Sequence, residues 1–234
     1  MHFDNHNWMQ IEDYLKGDDR VMLVLGACEQ HGYLSLLTDV KIPMALAEEA
    51  ARQSGVLVAP PLNFGCSPYF LDYPGTLSLK LHTYLDVVED ILRSLYGAGF
   101  RRVLILNGHG GNTPVVTHLV ELVNQLPDLQ VRWYAWWTTA TVAEIAKRYQ
   151  LDTEHGGWME AFDFTTVTEL PEEIKPLTDT GETILGKAAT RHTYGDGVFG
   201  GAYKAEPAIM QEMFAACLAD VLALLQFNGD VDAD

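Results

Sequence analysis

The sequence predicts an α/β protein of three layers (α/β/α), with helices on both faces of a mainly parallel central sheet. Short apolar runs alternate with amphipathic stretches of helical period, the pattern of βαβ units. Two of those runs also stop abruptly on polar side chains, at Glu29-Gln30-His31 and at Asn107-Gly108-His109. A strand that ends on such residues delivers them to the carboxyl edge of the sheet, where open α/β folds bind ligands.

Taken in order, residues 21–25 form the first strand. Pro43 opens a helix with Leu46, Ala47, Ala50 and Ala51 on its apolar face, and Gly55 terminates it. Residues 56–59 are the second strand, followed by an irregular stretch over 60–74. Thr83 caps a helix in which Tyr84, Val87, Val88, Ile91, Leu92 and Leu95 recur at helical spacing, and Gly97 and Gly99 stop it. Residues 103–106 are the third strand, and Asn112 or Thr113 caps the next helix, with Pro114 in its first turn. A fourth strand over 129–137 and a helix over 140–149 follow. The segment 178–203 is rich in Gly, Thr and charge and longer than a connection requires, so it is either functional or mobile. A long helix over 207–227 completes the fold, and 229–234 read as a frayed acidic tail. No repeat, linker or composition break divides the chain, so 1–234 is expected to be one domain.

A chain of 234 residues with 48% hydrophobic content can bury a substantial core. Its net charge of −17, with only 15 Lys plus Arg, argues against a nucleic-acid partner. The widely separated Cys28, Cys66 and Cys217 give neither a CxxC pair nor a disulfide framework and suit a reducing cytoplasm. The first residues lack the basic and apolar regions of a secretory leader, and no apolar run approaches bilayer length. The expectation is a cytoplasmic protein that meets a small molecule and no membrane.

In extended chain, residues two apart point to one side, so Glu29 and His31 can converge on one metal region. Asp39 returns after the apolar loop of Tyr33, Leu34, Leu36 and Leu37, and a carboxylate there can bridge two cations. Taken alone, Glu29 and Asp39 could equally be surface charges. In the second segment, Gly108, Gly110 and Gly111 leave the backbone around His109 bare, so that a substrate or second metal can approach. The loop lacks the GxGxxG spacing of a dinucleotide site. A third segment, Glu154-His155-Gly156-Gly157-Trp158-Met159-Glu160, offers Glu160 as a ligand on a helix start and His155 as a proton carrier; it could also be a plain glycine turn. The weaker candidates are His2, His6, His82, His118, His192 and Asp196, and Cys28 as a nucleophile paired with His31. An adjacent strand residue points the opposite way, so Cys28 reads better as a small buried filler.

Jointly these segments resemble the creatininase (creatinine amidohydrolase) family. Its first motif is matched by Glu29-Gln30-His31-Gly32 and Thr38-Asp39, and its second in full by Asn107-Gly108-His109-Gly110-Gly111-Asn112. Between them lie Ser67-Pro68 and Pro74-Gly75-Thr76-Leu77-Ser78, and His155, Gly157 and Glu160 align with the third. The resemblance implies the creatininase-like fold and two divalent metal ions (Zn, Mn or Fe) that hydrolyse a C–N bond in a small cyclic or linear amide through a metal-bridged hydroxide. It implies Glu29 and His109 on one metal, His31 and Glu160 on the other, Asp39 between them and His155 as proton donor to the leaving nitrogen. It also implies a homo-oligomer, commonly a hexamer in this family. Ser67, Tyr69, Gly110, Gly111 and Trp158 are the expected substrate contacts, with Phe70, Trp136 and Trp137 as further wall candidates or plain core. The sequence departs from the family pattern at Tyr33, Leu34 and Ser35 and at Trp158, Ala161 and Phe162, which predicts an altered pocket lining. A binding protein without turnover, and hydrolysis of a non-amide bond by the same centre, are the alternatives.

Overall fold

A computed structural model describes residues 1–227, so the expected tail at 229–234 lies outside the described residues. The central sheet consists of β1 (Arg20–Leu25), β2 (Leu57–Val58), β3 (Arg102–Asn107) and β4 (Gln130–Ala135), all parallel in the order β2-β1-β3-β4. Val21 pairs with Val103 and Leu25 with Asn107, so β1 and β3 end side by side. A short antiparallel pair, β5 (Ile174–Lys175) with β6 (Gly201–Ala202), stands apart.

The layers follow from period-two alternation along strands buried on both faces. Met22, Val24, Leu104 and Leu106 pack on one face with α2 (Thr38–Ser54), α5 (Ala140–Tyr149) and α7 (Pro207–Leu224). Val21, Leu23, Val103 and Ile105 pack on the other with α3 (Leu81–Ala98) and α4 (Val115–Gln125). In α3, Tyr84, Val88, Leu92 and Leu95 form the buried stripe. The remaining α-helices among the described residues are α1 (Trp8–Tyr14) and α6 (Lys187–Tyr194).

Four local expectations are corrected. The helix expected to open at Pro43 begins at Thr38 and contains the proline. Pro43 has no N–H for the carbonyl of Asp39, one turn back. That carbonyl instead lies against the backbone of Gly108 and Gly26. Thr83 is not a cap, because α3 starts after Lys80. Asn112 caps nothing either: α4 starts after Pro114, and the amide of Asn112 donates to Gly26 O at 3.1 Å and accepts from Cys66 N at 3.3 Å. It therefore ties together the loops that follow β1, β2 and β3. Finally, α7 is long and apolar enough to cross a membrane, against the expectation that no run approaches that length. Met210, Met213, Cys217 and Val221 of α7 are buried in the core, and it ends at Leu224 rather than at 227. Arg132 and Arg20 donate to the carbonyls of Leu224 and Leu225 there.

Candidate metal centre

The ends of β1 and β3 and the first turn of α2 converge at the sheet's carboxyl edge. Glu29 and His31 lie on the loop after β1, Asp39 on the first turn of α2, His109 just past β3 and Glu160 on the single turn Trp158–Glu160, rather than on a longer helix. All five are buried, from 1% exposure for Glu29 and His31 to 7% for Glu160. Such burial of charge is costly unless the groups are paired or bind a cation.

Asp39 stands at the middle of the set. One of its oxygens, Oδ1, lies 2.9 Å from His31 Nε2, and the other, Oδ2, lies 3.0 Å from His109 Nδ1. On one side His31 Nε2 is 3.9 Å from Glu160 Oε1, and on the other His109 Nε2 is 3.5 Å from Glu29 Oε2. The ligand atoms thus fall into two compact groups, Glu29–Asp39–His109 and His31–Asp39–Glu160, which share Asp39. A third compact group joins Glu29, His31 and His155.

Backbone contacts aim the imidazoles. His31 Nδ1 lies 3.1 Å from the carbonyl of Glu29, and His109 Nε2 2.9 Å from the carbonyl of Cys66. A carbonyl accepts only, so the facing ring nitrogen carries the hydrogen and the other nitrogen is left to bind. The hydroxyl of Ser67 reaches His109 Nε2 at 3.2 Å. Glu160 accepts from Gly156 N–H at 2.6 Å through Oε2.

Three buried atoms of this set, Glu29 Oε2, His31 Nε2 and Asp39 Oδ2, have no hydrogen-bond partner. Buried polar atoms are nearly always satisfied, so orphans gathered at one point mark a place for a cation. Oxygen and imidazole donors suit Zn, Mn or Fe. Without a metal the set is electrostatically tense. Burial opposes charge on His31, yet Asp39 and Glu160 push its pKa up to about 10. Burial opposes charge on His109 too, but Glu29 and Asp39 raise it to about 9. Burial raises Glu160 to about 7 and also lifts Glu29. Burial works against an ionised Asp39 as well, and His31 and His109 nonetheless hold it below the usual carboxylate range.

His155 lies beside the set, with Nδ1 3.8 Å from Glu29 Oε1. Its ring stacks on Phe70 at 4.8 Å and tilts against His31 at 4.4 Å. Nε2 lies 3.0 Å from both the carbonyl and the side-chain amide of Gln30, so an acceptor and a donor are both in reach. The neutral ring can therefore hold its proton on either nitrogen. Burial, and then charge on His31, keep its pKa well below the ordinary histidine value.

A cavity of about 540 Å³ opens over the set, lined by Tyr69, Gly110, Gly111, Trp137 and His155 among others. Trp158 is not in that wall. Its indole is buried in the core and donates to Asp152 O at 2.7 Å, because the turn directs it under the sheet edge. Phe162 is core as well, and Tyr33 packs edge-on to Tyr203 at 5.4 Å, so these departures do not line the cavity. The two glycines following His109 also differ in role. A Cβ at Gly111 would meet Cys66 O at 1.9 Å, whereas one at Gly110 would meet nothing within 4 Å. Only Gly110 leaves open space for a ligand.

The weaker candidates lie elsewhere. His192 is exposed, Asp196 pairs with Lys175 and accepts from Tyr203, and His118 pairs with Glu89. The Cys28 thiol donates to Gly75 O at 3.3 Å, and burial pushes its pKa up, the reverse of an activated nucleophile. Sequence reasoning missed Gln30 as the partner of His155, although it sits inside the first motif. It also missed Tyr194 and Phe199, stacked at 4.1 Å in the cavity wall, whose segment carries no periodic signal.

This fold and site define a class, the α/β proteins that carry a buried carboxylate–imidazole ligand set at the carboxyl edge of a parallel sheet. Within it the chain belongs to the creatininase family, whose model, described as creatinine amidohydrolase, matches residues 4–225. It is 32% identical over 162 residues to a creatinine amidohydrolase from Pseudomonas putida, covering 62% of each chain. It is 29% identical over 140 residues to a 3-dehydro-scyllo-inosose hydrolase from Thermotoga maritima, covering 57% of this chain and 45% of that protein. A mycofactocin precursor peptide peptidase from Mycolicibacterium smegmatis is 33% identical over 110 residues, covering 44% of each. The chain thus spans about half to three-fifths of the lengths of these relatives. Among solved structures, a manganese creatininase superposes with a TM-score of 0.77 at 24% identity, covering 96% of this chain and 97% of that one. A creatininase mutant of Zn-Zn type gives 0.76 at 24% identity, covering 96% of each. At these identities the likeness is one of fold.

Proposed function

We propose that this protein is a metal-dependent amidohydrolase that uses two divalent cations to cleave a C–N bond in a small cyclic or linear amide. The observation that carries this is Asp39, whose two oxygens face His31 and His109 in two separate ligand groups. Glu29 and His109 would hold one cation, His31 and Glu160 the other, and Asp39 both. Cations so held supply a nucleophile at neutral pH and polarise the carbonyl under attack.

The chain's own residues do the rest. Burial of the ligands excludes competing water, and the backbone carbonyls of Glu29 and Cys66 fix the ring orientations. His155, neutral and able to carry its proton on either nitrogen, moves a proton to the departing nitrogen. Tyr69 and the bare backbone at Gly110 bound the space where the amide sits, while Ser67 steadies His109 from behind. Two relatives named for amide or peptide cleavage support this bond type. The Thermotoga relative, named for an inosose, supports a second reading in which the same centre hydrolyses a non-amide bond. We place the protein in the cytoplasm as a homo-oligomer. The outward face of α7, with Ala215, Ala219 and Ala223 exposed, supports the latter.

Metal analysis of the purified protein, with Glu29→Gln and His155→Ala assayed on an amide and lactam panel, tests the reading. Two equivalents of metal in the wild type, fewer in Glu29→Gln, and hydrolysis lost in both variants are expected. A wild-type protein that takes up no stoichiometric metal would sink it.

A further inference from the structure

The ligand set uses three of the carboxylates that reach the cavity, Glu29, Asp39 and Glu160. A fourth, Glu154, also lines it, and among the described residues the lining contains no lysine or arginine. Glu154 is half-buried, and among the described residues no hydrogen bond or ion pair engages its carboxylate. Burial, and then the charge of the neighbouring Asp152 carboxylate, lift its pKa above the ordinary glutamate value. The same cavity presents aromatic rings: Phe70 lies 5.9 Å from Phe199, which stacks on Tyr194. With the other carboxylates committed to metal, Glu154 is the charge left to meet a substrate.

We propose that Glu154 forms a subsite for a cationic group in this cavity, so that the preferred substrates carry an ammonium or guanidinium away from the bond that is cut. The cleavage half of this statement rests on the hydrolase reading; the charge preference rests on the cavity alone. An ammonium entering here exchanges water for an unpaired carboxylate, which attracts it. A substrate carboxylate at the Glu154 side of the cavity meets that charge with no lysine or arginine in the lining to offset the repulsion, and so is disfavoured there.

Three lactams of one ring size test this: 5-amino-ε-caprolactam, ε-caprolactam and ε-caprolactam-5-carboxylate, with the charged group on a ring carbon remote from the amide. Their binding to the manganese-loaded protein is measured by calorimetry, with turnover scored separately. The amino lactam is expected to bind about tenfold more tightly than the neutral one, equivalent to about 1.4 kcal/mol, and the carboxylate more weakly than either. Glu154→Gln brings the amino-to-neutral ratio close to one, and Glu154→Lys inverts the order in favour of the carboxylate. A wild-type ratio near one, a preference that survives in Glu154→Gln, or no binding of the amino lactam overturns the proposal. A Glu154-dependent preference without any cleavage upholds the subsite and counts against the hydrolase reading. Cleavage of all three lactams without a charge preference does the opposite.

Discussion

Gly108 rests on the main-chain carbonyl of Asp39: a Cβ at that glycine would lie 1.8 Å from the oxygen. The contact is possible because Pro43 frees the carbonyl from its helical donor. It seats the first turn of α2 against the end of β3, and so brings Asp39 between His31 and His109. Gly108→Ala must therefore push α2 away from the sheet. The expected cost is about 3 kcal/mol, at the upper end for overpacking, together with loss of metal. Chemical denaturation and metal analysis check this, and a variant of wild-type stability with full metal would refute it.

The two glycines after His109 separate packing from access. Gly111→Ala would drive a methyl into Cys66 O and to 2.5 Å from His109 Nε2, so it should destabilise the protein and misplace that ring. Gly110→Ala meets nothing, and stability should stay within about 0.5 kcal/mol of wild type. Its methyl instead enters the cavity, so substrate KM should rise. Thermal melts and steady-state kinetics on both variants check the contrast; equal stability losses would defeat it.

The four strands of the central sheet and the five carboxylates and imidazoles that gather at its edge were legible in the sequence because both rest on local signals. Buried apolar runs read as strands, and the first and third of them end on polar motifs. What was not legible depends on chain segments distant in sequence. Asn112 looks like a helix cap until Gly26 and Cys66 are seen within its reach. Trp158 looks like a pocket wall because it neighbours His155 and Glu160, but a tight turn sends adjacent side chains to opposite sides. Pro43 looks like a helix start, since the reason to tolerate it one turn later is Gly108, far along the chain.

Trp158 gives a prediction of its own. Its ring is fully buried and its N–H is used by Asp152 O. Trp158→Phe should cost about 1–3 kcal/mol through the unpaired carbonyl and lost volume. Because the side chain lies outside the cavity, relative rates across a panel of amides should not change. A variant of undiminished stability with altered substrate preference would return Trp158 to the pocket.

His155 should matter to turnover far more than to metal. It touches Gln30 and Phe70 rather than supplying either of the two ligand groups that share Asp39. His155→Ala is expected to lower kcat by about 10²- to 10⁴-fold, the usual worth of a positioned acid or base, with metal content retained. Gln30→Ala should lower kcat less and displace the acidic limb of the pH–rate profile, since it removes a partner of Nε2. If His155→Ala loses metal in proportion to activity, the residue is a ligand instead.

Proton release gives the most direct reading of the centre's charge. With no metal bound, His31 at about 10 and His109 at about 9 both carry a proton at neutral pH. A cation can use those nitrogens only after the protons leave, so metal binding must release protons and tighten as pH rises. Calorimetry of manganese binding near pH 7.5, in buffers of different ionisation enthalpy, should give roughly two protons released per protein. The same shifts set the stability of the metal-free protein. Both folded pKa values lie above the ordinary 6.5, so their stabilisation is complete below about that pH and is lost as pH rises through 9 to 10. The metal-free melting temperature should therefore fall across that window, while the metal-loaded protein, its imidazoles already deprotonated, should show a flatter profile. Binding without proton release, or parallel melting profiles with and without metal, would show that the two histidines are not the residues that meet the cations.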